Sequence, residues 1–254
     1  MRGAAMRGNS ELDGVRAALD EAAGHVETLC SAVEAALDGL PEGTASDARA
    51  EVVDLRRAFT GVAAQLDGML VAAGDPDALR TVATAWIHDI GAPVSRLVGV
   101  ASDDVLETDD HWTGAAADAY RAALPPQRTA LAAIVATCHE VDAALGDLAA
   151  AITSFWVAIG TACLGLVLAL AGALGSAATV VGTPVAAGIA LAGVGALVAA
   201  GSSALSSLNE TTVVATARAG ALDRRLADST AFPLGAWPRS TRGISTAARD
   251  WRPR

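Results

Sequence analysis

Between Asp147 and Glu210 the chain runs for 62 residues without an Asp, Glu, Arg or His, and the whole sequence contains no lysine. Such a run cannot be solvated on every side. A helix in water needs a polar stripe, and Ser and Thr supply nearly all the polar side chains here, too few to make one. About 20 apolar residues cross the hydrocarbon of a bilayer. The run therefore holds two candidate spans, 152–174 and 184–208, with Val181-Gly182-Thr183-Pro184 as the turn between them. Small residues let membrane helices approach closely, which singles out Gly165, Gly172, Gly188 and Gly195 as packing points. The competing reading is a soluble hairpin whose apolar faces are covered by the rest of the chain.

The run divides the charge. Residues 1–147 carry 24 acidic and 10 basic side chains, and residues 148–254 carry 4 and 8. The net charge of −10 and the 4 % of aromatic residues argue against nucleic acid as a partner. The absence of lysine excludes P-loop phosphate binding and Schiff-base catalysis. Cys30, Cys138 and Cys163 form no CxxC pair, so neither a disulfide framework nor a thiolate zinc site is indicated. No apolar segment follows Arg2 and Arg7, so a cleavable signal peptide is not expected.

Upstream of the run the periodicity is helical throughout. Over 10–39, Val15, Leu19, Ala22, Val26, Leu29, Val33, Ala36 and Leu40 recur in alternating fours and threes, the seam of a bundle helix. Ser10 caps this helix, and Gly39–Gly43 ends it. A second seam, Val52, Leu55, Phe59, Val62, Leu66, Met69 and Ala73, begins after a cap at Thr44 or Ser46 and stops at Gly74. Two such helices joined by a short turn pack antiparallel. Asp75 and Pro76 start a third helix, with Leu79, Val82, Trp86, Ile90, Val94 and Leu97 on its face and an interruption near Ile90 imposed by Pro93. A fourth begins after Gly114, is kinked at Pro125-Pro126, and runs into the apolar segment without a breaker.

The expected fold is all-α. Residues 1–9 are a flexible N-terminus, and 10–73 and 74–147 are two hairpins forming a four-helix bundle. Residues 148–209 are an apolar, transmembrane-like hairpin, and 210–254 a basic, largely disordered tail. Arginine favours the cytoplasmic end of a span. Arg128 upstream and Arg218, Arg224 and Arg225 downstream therefore put both flanks of a resident hairpin in the cytoplasm.

Catalytic constellations are missing from this pattern. The histidines are His25, His88, His111 and His139, and no HExxH occurs. Cys138-His139-Glu140 diverge by about 100° per residue on a helix and cannot share a site. Asp109-Asp110-His111 reads as a solvated loop. No catalytic residue, metal ligand or cofactor is expected. The motif that stands out is Trp112-Thr113-Gly114 between two helices. Its Trp is a large plate that closes a hairpin end, and its Gly permits the turn.

Residues 74–158 resemble the WXG (ESAT-like) family of helical hairpins associated with type VII (ESX) secretion in actinobacteria. The resemblance rests on Gly74-Asp75-Pro76, Leu79-Arg80, Trp86, Trp112-x-Gly114, Tyr120-Arg121 and Pro125-Pro126. It implies an antiparallel hairpin, with Trp86 and Tyr120 in its packing, that pairs with a second helical hairpin or with the type VII machinery. It implies no enzyme. The family's export signal, a Tyr ahead of an Asp or Glu, is absent: Tyr120 is the sole tyrosine, and Leu124 holds the acidic position. A partner would have to supply the signal. The expected function is a non-enzymatic type VII-associated protein that binds helical partners and membrane lipid, located in the bacterial cell membrane or secreted. Two alternatives stand beside it. One is a toxin-delivery or accessory subunit, although too few residues follow Leu208 for a toxin-sized domain. The other is a resident membrane scaffold unrelated to secretion.

Overall fold

In the computed structural model the residues described are 10–38, 42–71, 74–101, 113–177 and 183–238. Every regular element among them is a helix. In chain order these are α1 (Ser10–Leu37), α2 (Glu42–Val71), α3 (Pro76–Ala85), a π-helical turn (Trp86–Gly91), α4 (Ala92–Val100), α5 (Ala115–Ala177), α6 (Thr183–Leu226) and a 3-10 turn (Pro233–Gly235). The chain forms two compact units. One contains residues 1–76 and 150–210, the other 77–149 and 211–254.

The first unit is built on the seams of α1 and α2. Val15, Leu19, Ala22, Val26, Leu29 and Val33 are buried, as are Val52, Leu55, Phe59 and Leu66. Val62 and Met69 pack at the edge of the same core, while Leu40 and Ala73 lie outside the described residues. Arg49 pairs with Asp38, and Arg56 with both Glu34 and Glu27. These pairings step in opposite senses along the two helices, so the hairpin is antiparallel. Helix α2 begins at Glu42, so Thr44 and Ser46 fall inside it rather than capping it.

What covers this hairpin differs from the expectation. The core that contains its seams is completed by Phe155, Trp156, Ile159, Cys163, Leu166, Leu170, Ala173, Ala186, Ala190, Val194 and Leu197 of α5 and α6. The helices of 10–73 are therefore covered by the charge-free run rather than by the expected hairpin 74–147. The reason lies in the area on offer. Each large apolar side chain taken from water contributes about 1.5–3 kcal/mol, and the run presents more of them than α3 and α4 do. Within this unit α5 and α6 are themselves antiparallel. A Cβ at Gly193 would sit 3.0 Å from Leu166 Cδ1 and 3.2 Å from Ala169 Cβ, and one at Gly201 3.7 Å from Ile159 Cδ1.

In the second unit Pro76-led α3 and the break before Pro93 follow the sequence closely. Proline lacks an N–H and crowds the carbonyl four residues back; the wider π turn at Trp86–Gly91 absorbs that mismatch. Gly91 then meets α5, where an added Cβ would lie 3.3 Å from Cys138 Cβ. Helix α5 continues through Pro125 and Pro126 and on into the apolar run. Helix α6 likewise continues past Glu210 to Leu226, so 209/210 is not an element boundary. Two ion pairs join these helices, Arg218 with Asp147 and Arg225 Nη2 with Glu140 Oε1 at 2.6 Å. Beyond α6, Phe232 N–H donates to the Asp228 carbonyl, and Gln127 Nε2 donates to the Pro238 carbonyl. Of the expected tail, residues 239–254 lie outside the described residues.

Candidate functional site

Among the described residues each unit leaves an apolar surface uncovered. Helix α5 buries Leu166 and Leu170 beneath α1 and α2, and side chains two positions along a helix lie roughly 160° round from them. Leu164 and Leu168 are accordingly 58 % and 73 % exposed. Val157 on α5 extends this open face; on α6 Ile189, Val198 and Leu205 are exposed as well, the last two at the edge that borders α2. Only 33 % of the most apolar stretch of α5 and 17 % of that of α6 is buried. The core helix of a soluble protein is apolar because it is covered; these two are apolar and largely open. Both are long and apolar enough to cross a membrane.

The glycines chosen from the sequence lie on this open face. Gly165, Gly172, Gly188 and Gly195 are exposed, and a Cβ at any of them would meet nothing within 4 Å. They do not bring α5 and α6 together. Gly193 does, with Gly160 approaching α1, where its Cβ would lie 3.5 Å from Val15 Cγ2.

The second surface runs along α3, the π turn and α4. Val82, Trp86, Ile90 and Leu97 were expected to form a packed seam; in the structure all four are exposed, Trp86 at 36 %. The faces that do pack carry Ala83 and Gly91. Leu79 and Val94 of the same expected face are half-buried. Tyr120 is half-buried on α5. Gly114 is exposed and adopts φ +107°, a conformation that admits only glycine readily. Trp112 lies outside the described residues.

The described residues offer little for bond-making chemistry. The three cysteines are buried free thiols, and burial pushes the Cys30 thiol above its ordinary range, with Arg56 pulling the other way. His139 is exposed beside buried Cys138, so the Cys-His-Glu triplet does not converge. Among the described residues no group of three or more His, Cys, Asp or Glu side chains is placed to hold a metal ion. What the arrangement can do is bind: a charge-free face in one unit, a Trp-containing apolar stripe in the other. Sequence reasoning missed that the α3–α4 stripe is open, because periodicity marks a face as apolar without naming what covers it. No protein-family model, curated protein or solved structure matches this chain.

Proposed function

We propose that the protein is a non-enzymatic, membrane-attaching component of a type VII secretion system, located at the bacterial cell membrane or exported by that route. The observation that carries the membrane part is the uncovered charge-free face of α5 and α6, with Leu164 and Leu168 at its centre. Exposed apolar patches larger than a few hundred Å² mark interaction surfaces. Lipid is the occupant that asks for no charge or polar register from the protein, and this run supplies none. The type VII part rests on the Trp112-Thr113-Gly114 motif with glycine geometry at Gly114, and on the open Val82–Trp86–Ile90 stripe. An apolar stripe at helical spacing suits the helix of a partner hairpin.

Fractionation of actinobacterial cells with and without the type VII ATPase tests both parts. The protein should sediment with membranes, or reach the medium, and loss of the ATPase should change that distribution. A soluble cytosolic monomer, indifferent to the ATPase, would overturn the reading.

A further inference from the structure

Helices α1 and α2 hide a second face of the apolar helices. Trp156 is 2 % exposed, in edge-to-face contact with Phe155 at 4.9 Å between ring centroids, and Ile159, Cys163, Leu166 and Leu170 lie in the same covered strip. The charge-free run is thus apolar on both the covered and the open side. A soluble bundle needs only the first. We propose that α1 and α2 are a removable cover, and that the face beneath them is a concealed lipid-binding surface, used for full insertion once the cover lifts. This rests on the membrane reading above.

The cover itself cannot enter hydrocarbon. Asp13, Arg16, Asp20, Glu21, Asp54 and Arg57 are exposed on it, and each charged side chain at the centre of a bilayer lowers insertion roughly a hundredfold. Insertion of the 150–210 helices with the cover in place is therefore disfavoured many times over. Yet the cover is self-contained. Its ion pairs run between α1 and α2, with Arg56 Nη1 2.8 Å from Glu34 Oε1 and Nη2 3.2 Å from Glu27 Oε2. No ion pair can tie it to residues 148–209, which carry no charged side chain. That contact is held by apolar burial. Lipid tails are as apolar as leucine, so in a bilayer the hydrophobic drive for the contact disappears. The seam is also imperfectly filled: a cavity of about 70 Å³ lies among Val62, Leu66 and Met69 of α2 and Val198, Gly201 and Leu205 of α6. Its lining forfeits part of the dispersion energy that would hold the cover down. The freed hairpin keeps its charged side in water.

The 3.5 Å between Val15 Cγ2 and a Cβ built at Gly160 gives the means to lock the cover. The full chain carrying Val15→Cys and Gly160→Cys, with Cys30, Cys138 and Cys163 each changed to Ala, is mixed with phosphatidylcholine vesicles, oxidised or reduced, then floated and washed at alkaline pH. The oxidised protein should float through its open face but be stripped by alkali, and the reduced protein should float and resist stripping. Equal resistance in both states would overturn the cover while leaving membrane binding intact. Flotation in both states with resistance in neither would also overturn it. Failure of both states to float would overturn the membrane reading and the cover together, and failure of the oxidised state alone would overturn attachment through the open face. Hydrogen exchange on the unmodified chain gives an answer that needs no variant. Vesicles should speed exchange in α1 and α2 by about tenfold or more, as expected for a detached element, and slow it across 152–174. Unchanged exchange in α1 and α2 would contradict the proposal.

Discussion

Gly114 shows what a single residue fixes in this chain. Its φ of +107° turns the backbone into α5, where the Asp118 N–H donates to the Gly114 carbonyl. A Cβ at Gly114 meets open space, so any penalty for alanine is conformational rather than steric contact with neighbours. Gly114→Ala should lower stability by about 1–3 kcal/mol, read from denaturant unfolding with an unchanged m-value. A loss below about 0.3 kcal/mol would mean that the turn does not need this conformation. The glycine of the Trp-x-Gly motif was legible as a turn residue because few residues tolerate positive φ. The role of Trp112 was not, since a lone Trp reads equally as a hairpin plug and as an exposed plate.

At the scale of the helices, the seams of α1 and α2 were legible nearly residue by residue. Their charged and apolar positions alternate, and the charges set the phase of the helix. Pro93 and Pro76 were legible for the same local reason, the missing N–H. Inside the charge-free run that phase is lost. With no polar stripe, nothing in the sequence says which way Gly165 or Gly193 points, and the glycines read as packing residues turned out to be the open ones. The contrast is testable. Gly193→Leu should destabilise by about 1–3 kcal/mol through overpacking against Leu166 and Ala169. Gly165→Ala, with nothing within 4 Å, should gain about 0.5–1 kcal/mol from helix propensity. Reversal of the two signs would place the helix contact where the sequence reading put it. On α3 and α4 the open stripe makes a parallel prediction. Val82→Gln and Leu97→Gln should each cost no more than about 1 kcal/mol. A loss of about 2–5 kcal/mol, as for a buried leucine, would show the stripe packed within the chain.

At the scale of the whole molecule, the order of elements along the chain was readable, but the pairing of the hairpins was not. Amphipathic helices at 10–73 declare that one face must be covered and leave open by what. The structure answers with the most apolar segment available, and in doing so gives that segment one covered side and one open side. Leu168 and Leu170 mark the two sides, at 73 % and 0 % exposed. On the proposed membrane reading, two leucines two residues apart separate folding from membrane attachment. Leu170→Arg should unfold the first unit, since it buries an unpaired charge. The direct measurement is Leu168→Arg, compared with the unaltered chain by thermal unfolding and by flotation with phosphatidylcholine vesicles. Unfolding should be unchanged within about 0.5 kcal/mol, as for an exposed site. Partition into vesicles should fall roughly a hundredfold, the equivalent of the 2.5–3.5 kcal/mol that an arginine costs in a bilayer. Equal flotation of the two proteins, or no flotation of the unaltered chain, would contradict a lipid-facing role for the charge-free helices.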